Sequence, residues 1–264
     1  MLNSDAAVNT HLLLGEEKLS RYAIITDSPW IFDEGVKIFE ETPTVTRGRY
    51  GVKVAVGEYK GLHLSIVQYG VGSSEALALV EELFRSGVRV VVKLGFGVYT
   101  MTEKPPARIA IGAVRLDRIS EAIAPLEMPA IPNYELLTQL AISFNVESIP
   151  HEEDLVVSVG YPISQLENGL LPSWWRKMGI NVVDLDTATL YVASYFRRLK
   201  TVSVVIPAIP SSDVFEKRVW TAYIPSKGEA ERYREIIGTV YESMYHMKEK
   251  AWIESTTKKL EKRQ

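Results

Sequence analysis

The sequence predicts a three-layer α/β fold in which a central mixed, twisted β-sheet is flanked by helices. A strand pattern at Leu62–Gln68, a helix pattern at Ser73–Arg85 and a second strand pattern at Val88–Leu94 follow one another, as in a right-handed crossover. The run Val88–Leu94 is mostly apolar and β-branched, which is typical of a strand that is covered on both faces. Further strand and helix patterns alternate along the chain, and they place this sheet at the centre of the fold.

The remaining elements are predicted from the same periodicities and from turn residues. An apolar run at Tyr22–Thr26 predicts the first core strand, and the turn-forming residues Asp27-Ser28-Pro29 after it are able to start a loop or a helix. Val52–Gly57 and Leu62–Gln68 form a predicted hairpin around Tyr59-Lys60-Gly61. Further strands are predicted at Ile109–Val114, Leu155–Val159 and Thr201–Ile206, and helices at Tyr134–Phe144, from Asp186 to about Arg198, and over residues 228–262.

Length and composition predict one soluble domain over residues 1–264, because no linker-like segment divides the chain. The formal net charge is -3 and both signs are interleaved, so we expect no nucleic-acid partner. We also expect a cytoplasmic protein without a membrane partner, since the sequence contains neither a secretory leader pattern nor a run of ~18 apolar residues.

Cysteine is absent, which excludes disulfides, thiolate metal sites and a cysteine nucleophile. The chain has only four histidines, and none of them share the spacing of a metal-binding pair on a helix. The sequence therefore predicts no bound metal.

Two glycine-containing segments and one acidic pair are candidates for ligand binding. Tyr69–Ser74 joins a strand to a helix N-terminus, where free backbone N–H groups attract an anion or a sugar hydroxyl, although its position alone favours a tight turn capped by serine. Lys93–Gly97 is interpreted as the loop that ends the next strand, at the sheet edge where α/β proteins bind ligands. Asp184 and Asp186 lie at a strand-to-helix junction, where one is able to face a cleft while the other caps the helix.

Four sequence motifs carry a resemblance to a known family. Val183–Tyr191 is similar to Val-Glu-Met-Glu-x-Ala-x-Leu-Tyr, Gly70–Gly72 to Gly-Met-Gly, and Val56–Gly61 to Thr-Gly-x-Tyr-x-Gly. The segment Glu81-Glu82-Leu83, followed by Gly87-Val88, matches Glu-Glu-Leu and Gly-Val of the same family. From about His11 to Ser212 the chain thus resembles the nucleoside phosphorylases, which include purine nucleoside, methylthioadenosine and uridine phosphorylases and related nucleosidases.

This resemblance implies a partly barrel-like sheet and cleavage of the N-glycosidic bond of a nucleoside. Inorganic phosphate is the implied co-substrate, and no cofactor is implied. The family assembles from several chains, so a homo-oligomer of two to six chains is expected, with a paralogous chain as a possible further subunit.

The resemblance also implies roles for individual residues. The sugar contacts would come from Val71, Gly72, Leu185 and Asp186, together with His11 of a neighbouring chain. Phosphate would be bound by Arg47 or Arg49 of the adjacent chain, by Lys93 and by Gly95. The base would lie against Tyr161, Ile163 and Asp184, and Asp213 is the candidate that protonates a purine base.

Several phosphate-binding positions differ from the family pattern. Asp27 and Ser28 stand where the family has glycine and aspartate, and Ile31 replaces an arginine. Lys93 replaces another arginine, and Phe96 replaces a serine. A carboxylate at the place of phosphate repels it, and isoleucine and phenylalanine supply no donor.

Three functional interpretations follow from these residues. The first is a divergent nucleoside phosphorylase, in which Lys93 and Arg47 or Arg49 still supply positive charge. The second is a hydrolytic nucleosidase in which Asp27 orients water at the phosphate position. The third is a non-catalytic nucleoside-binding subunit with a degenerate phosphate site.

Overall fold

The computed structural model of the protein describes residues 19–160, 177–211 and 223–261. Within these residues, nine strands form one mixed sheet that is flanked by helices, which confirms the predicted fold class. The strands are β1 (Tyr22–Thr26), β2 (Val45–Arg47), β3 (Lys53–Tyr59), β4 (Leu62–Gln68), β5 (Val90–Tyr99), β6 (Ala107–Leu116), β7 (His151–Val159), β8 (Val182–Asp184) and β9 (Lys200–Pro210).

The sheet has an open half and a closed half. Its strand order is β2-β3-β4-β1-β5-β8-β7-β6-β9, and β5 also pairs with β9. The five strands from β5 to β9 therefore close on themselves, and the predicted barrel-like character is confirmed. In the open half, β1 runs parallel to both β4 and β5. The carboxyl ends of β1, β4 and β5 consequently lie along one edge of the sheet.

The helices of the described residues form a layer on each side of the sheet. They are α1 (Pro29–Val36), α2 (Ser73–Arg85), α3 (Ile119–Ile123), α4 (Tyr134–Val146), α5 (Thr187–Arg197) and α6 (Lys227–Glu261). The apolar faces of α1, α4 and α6 share one buried cluster with the sheet, whereas α2 and α5 pack in clusters on the other side. Together these layers give the predicted three-layer arrangement.

Local sequence explains where several helices begin. Ser28 caps α1, because its side chain accepts a hydrogen bond from the Ile31 N–H, and Pro29 fits the first helical turn. The Asn133 side chain caps α4 in the same way. The turn-forming residues after β1 thus start a helix rather than a loop.

The predicted loop at Gly95–Gly97 is wrong, because β5 continues through both glycines to Tyr99. A Cβ on Gly97 would lie 2.5 Å from Val205 Cγ1 and 3.1 Å from the backbone oxygen of Val183. Gly97 is therefore needed for close approach of strands β8 and β9, whereas the sequence pattern suggested a turn.

We predict that Gly97→Ala destabilises the protein by about 1–3 kcal/mol, because the added methyl group forces Val205 or the strand backbone to move. Gly238→Ala is the matched control, since a Cβ on this α6 residue meets no atom within 4 Å. Alanine there is expected to leave stability unchanged or to raise it by up to about 1 kcal/mol. Urea unfolding of both variants measures the difference, and equal stabilities would contradict the close packing at Gly97.

Candidate active site

Polar side chains from four segments meet at the edge where parallel strands end. Asp27 follows β1, Tyr69 follows β4, and Lys93 lies in β5. Asp184 ends β8, and Asp186 directly precedes α5. All five residues are buried. The fold thus collects three carboxyl groups, one ammonium group and one phenol at the edge where open α/β sheets bind ligands.

The Lys93 ammonium group is the centre of this cluster. Its Nζ atom donates to Asp184 Oδ2 at 2.7 Å and to Asp186 Oδ1, and it lies 3.5 Å from the Thr187 hydroxyl. Burial lowers the pKa of Lys93, but the charges of Asp184, Asp186 and Asp27 outweigh it and hold this pKa above its ordinary value. Lys93 is therefore a buried cation with fixed partners.

Asp184 is the member of the acidic pair whose side chain caps the helix. Its Oδ2 accepts the Thr187 backbone N–H at 3.3 Å, so Asp184 caps the start of α5. Its Oδ1 accepts the Ser158 hydroxyl at 2.6 Å. Asp186 makes no such cap. Both oxygens of Asp184 are thus bonded inside the protein, and its contact with a base stays a prediction.

Asp27 lies against the same cluster from the side of β1. A Cβ on Gly95 would come within 3.1 Å of both Asp27 Oδ1 and Lys93 Cε. Asp27 and Lys93 thus lie close to Gly95, whose contact with phosphate stays a prediction. Burial and the Asp186 charge raise the pKa of Asp27 to about 7, although Lys93 acts in the opposite direction. The carboxyl group of Asp27 therefore binds a proton at a higher pH than an ordinary aspartate does.

Asp186 and the glycine turn are adjacent, as the sequence predicted. The Tyr69 hydroxyl donates to Asp186 Oδ2 at 2.5 Å, and the Ser73 hydroxyl donates to the Leu185 carbonyl at 2.6 Å. Gly72 has a φ of 92°, a conformation that side chains disfavour, and it forms the N-cap of α2. The N-terminus of α2 consequently lies near the Asp186 carboxylate.

A further buried carboxylate, Asp117, was not predicted from the sequence. It accepts the Ser73 hydroxyl at 3.1 Å and the Thr189 hydroxyl at 2.5 Å. It also accepts the backbone N–H of Ser120 at 3.0 Å. Asp117 thus ties the first turns of α2, α3 and α5 together. In the sequence, Asp117 stands at the end of a strand and next to Arg118, which indicates a turn but not a buried carboxylate.

The other predicted phosphate and sugar contacts are spread over the molecule. Arg47 is exposed on β2, four strand spacings from β5, which corresponds to roughly 19 Å. It cannot reach the Lys93 cluster of its own chain. Val71 is exposed at the surface of the turn, while Leu185 is partly buried beside Asp186. His11, Tyr161, Ile163, Asp213 and the side chain of Arg49 lie outside the described part of the chain.

The two apolar replacements at the phosphate positions are both buried. Ile31 is fully buried in α1. Phe96 packs among aromatic rings, with ring centroids 4.9 Å from Tyr223, 5.5 Å from Tyr233 and 6.2 Å from Trp30. Neither residue offers a hydrogen-bond donor from its side chain, and the positive charge of Lys93 is already paired with Asp184 and Asp186.

Residues 19–160, 177–211 and 223–261 contain neither a metal-binding cluster nor a membrane-spanning helix. No group of three or more His, Asp or Glu side chains has the arrangement of a metal site. No helix is both long and apolar enough to cross a membrane.

Comparison with known proteins places these residues in context. The sequence profile of the Phosphorylase superfamily matches residues 21–214. The guanosine phosphorylase of Halorubrum lacusprofundi is 25% identical over 200 residues, which cover 74% of this chain and 80% of that protein. The purine nucleoside phosphorylase of Plasmodium vivax is 25% identical over 207 residues, covering 76% and 83% of the two chains. The uridine phosphorylase of Treponema pallidum is 22% identical, covering 74% and 80%.

Solved structures show the same fold. A uridine phosphorylase from Vibrio fischeri, complexed with 6-hydroxy-1-naphthoic acid, superposes with a TM-score of 0.75 at 21% identity, covering 89% of this chain and 94% of that one. A second structure of the Vibrio fischeri enzyme has a TM-score of 0.76 at 21% identity and covers 92% and 99%. The likeness extends over most of both chains.

We predict that Asp27 makes stability fall as pH rises from about 4 to about 7. An aspartate in an unfolded chain titrates near pH ~4, whereas the folded-state pKa of Asp27 is about 7. Between these values the folded state binds one more proton than the unfolded state, so raising the pH favours unfolding. Asp27→Asn is expected to be more stable than the wild type at pH 8, by on the order of a few kcal/mol, with little difference near pH 4.

Urea unfolding at pH 4 to 8 measures this effect. The matched control is Asp33→Asn, the same chemical change at an exposed position of α1. If the Asp27→Asn and wild-type stabilities differ by the same amount at every pH, the burial of an ionisable Asp27 in this cluster is wrong.

Proposed function

The chain belongs to the Phosphorylase superfamily, and from this premise we propose that it cleaves the N-glycosidic bond of a purine or pyrimidine nucleoside with inorganic phosphate. The observation that carries the proposal is the junction of the Gly70–Gly72 turn with Asp186. The Tyr69 and Ser73 hydrogen bonds bring these two segments together. A carboxylate acceptor beside backbone N–H donors is a suitable arrangement for a sugar, which both donates and accepts hydrogen bonds.

In this proposal Asp186 holds the sugar. A carboxylate has about four lone-pair sites, and Lys93 and Tyr69 use two of them. The N-terminus of α2 supplies donors from the other side, and Leu185 supplies apolar contact. As the glycosidic bond breaks, the sugar acquires positive charge, and the carboxylate of Asp186 stabilises that charge because it is fixed in a buried site.

Phosphate binding depends on the protonation of Asp27 and on a neighbouring chain. Lys93 attracts the anion, and a protonated Asp27 donates a hydrogen bond instead of repelling it. Arg47 lies roughly 19 Å from β5 within one chain. It serves the site only when another chain presents it, so the proposal includes a homo-oligomer, with Arg49 and His11 as further contributions from the neighbour.

The base is not assigned to a particular nucleoside. The candidates Asp213, Tyr161 and Ile163 lie outside the described residues. The relatives include purine and uridine phosphorylases at similar identity. We therefore propose nucleoside cleavage as the class of reaction, with Asp213 as the candidate acid for a purine leaving group.

A second candidate function, hydrolysis, is favoured by the surroundings of Asp27. The buried residues Ile31 and Phe96 offer no donor to phosphate from their side chains. A carboxyl group with a pKa of about 7 is well suited to take a proton from water near neutral pH. In this mechanism water, activated by Asp27, attacks the sugar in place of phosphate. The third interpretation is a nucleoside-binding subunit without catalysis. It has the same proposed sugar contacts as the two enzymes but no reaction.

We predict that purified protein releases free base from at least one nucleoside in a panel of purine and pyrimidine nucleosides, and that release requires phosphate. Asp186→Asn is expected to lower kcat/KM by at least ~100-fold, because it removes the charge that stabilises the sugar cation. Glu81→Gln, a surface carboxylate paired with Arg197, is the matched control and is expected to retain activity. Base release is followed by chromatography with and without phosphate.

The outcomes separate the three candidates. Base release without phosphate, abolished by Asp27→Asn, replaces phosphorolysis with hydrolysis. Nucleoside binding without release under either condition leaves only the binding subunit. If the protein neither binds nor cleaves any nucleoside of the panel, the proposed function is wrong.

A further inference from the structure

We infer that Asp117 is a positioning residue, which sets the spacing between the Gly70–Gly72 turn and Asp186 and thereby the affinity for the nucleoside. The inference rests on the proposed function, because it takes these two segments as the sugar contacts. Asp117 acts through its neighbours, since its side chain is buried and bonded to donors of the protein itself.

One oxygen of Asp117 joins the two segments. Its Oδ2 accepts the Thr189 hydroxyl at 2.5 Å and lies 3.1 Å from the Ser73 hydroxyl. Ser73 is the first residue of α2 and directly follows Gly72. Thr189 lies in the first turn of α5, three residues after Asp186. Loss of this oxygen therefore frees the start of α2 to move relative to the start of α5.

Thr189 provides the firmer of the two links. The Ser73 hydroxyl has a single proton, and it lies closer to the Leu185 carbonyl, at 2.6 Å, than to Asp117. The Thr189 hydroxyl makes the shorter contact with Asp117, and a hydrogen bond to an ionised acceptor is stronger than one between neutral groups. The hydroxyl of Thr189 is consequently the group to remove in a test.

Asp117 is itself fixed by the sheet and by α3. Its Oδ1 accepts the Ser120 N–H at 3.0 Å, in the first turn of α3. A Cβ on Gly160 would lie 2.4 Å from the Asp117 backbone oxygen, so the chain after β7 packs against this residue. The Arg115 guanidinium group donates to the Ala124 carbonyl at 2.8 Å and holds the end of α3. The carboxyl group therefore has a fixed position before any ligand binds.

Loss of this link changes substrate binding rather than the chemical step. Asp186 keeps its charge and its place without Asp117, because Lys93 and Tyr69 are bonded to its two oxygens. The N–H groups at the start of α2 are neutral donors, and the sugar hydroxyls that they contact do not react. Such contacts bind the substrate and the transition state about equally, so their loss raises KM and leaves kcat unchanged.

The experiment measures kcat and KM of four variants on the nucleoside that the wild type cleaves. Thr189→Val removes the hydroxyl but keeps the side-chain volume, and it is expected to raise KM at least about fivefold with kcat within about twofold. Thr189→Ser keeps the hydroxyl and is expected to have the wild-type KM. Asp117→Ala is expected to raise KM at least about tenfold. Asn133→Ala is the matched control with the wild-type KM expected, because it removes a hydrogen bond to the first turn of α4 instead.

KM does not depend on the fraction of the protein that is folded, so a loss of stability alone leaves it unchanged. An unchanged KM in Thr189→Val or in Asp117→Ala, or an equal rise in Thr189→Ser or Asn133→Ala, overturns the inference while the proposed function stands. If Asp117→Ala does not fold, the two Thr189 variants decide. If the wild type binds nucleosides without cleaving them, the catalytic proposal fails, and dissociation constants from calorimetry decide the inference by the same ratios. A wild type that binds no nucleoside overturns both.

Discussion

The buried ion pairs of Lys93 are the interaction on which the candidate site depends. The lysine projects from β5, and its two partners come from the end of β8 and from the residue before α5. Removing one partner from such a group leaves a buried charge uncompensated, so these three segments are constrained to keep their relative positions. Asp184 also caps α5, so the same constraint fixes the position of this helix. The sugar-binding acid proposed here is therefore positioned by a cation that the protein supplies itself.

Aromatic side chains on the other face of β5 surround Phe96, which stands where the phosphorylase family has a phosphate-binding serine. Phe96 alternates with Lys93 and Gly95 along the strand, and it contacts rings from α1 and α6. This cluster joins the long C-terminal helix to the centre of the sheet through Tyr233. Position 96, which has a hydrogen-bond donor in the family, thus contributes an apolar side chain to the core here. Asp27 lies against the opposite face of β5 and supplies an ionisable group there. Because burial and the Asp186 charge raise the pKa of Asp27 to about 7, proton binding at Asp27 contributes to the charge of the site.

Much of the fold followed from local patterns, and the errors have physical causes. Helix α2 was predicted at its observed bounds because its apolar spacing and the terminal Gly87 agree. The glycines of β5 were taken for a turn, whereas Gly97 allows close approach by Val205, a contact distant in sequence. Short elements such as α3 carry too few residues for periodicity.

In the site, the proximity of Gly72 and Asp186 was predicted, but the Lys93 pairs were not. A lysine inside an apolar strand was the available signal, because it must find a buried partner.

The central claim is that the Gly70–Gly72 turn and Asp186 hold a sugar in the place organised by Lys93. A crystal structure of the protein soaked with a nucleoside tests this most directly. The account predicts a pentose ring between the N-terminus of α2 and the Asp186 carboxylate, with a sugar hydroxyl within hydrogen-bond distance of that carboxylate. A nucleoside bound elsewhere, with no contact to Asp186 or to the turn, would contradict the account.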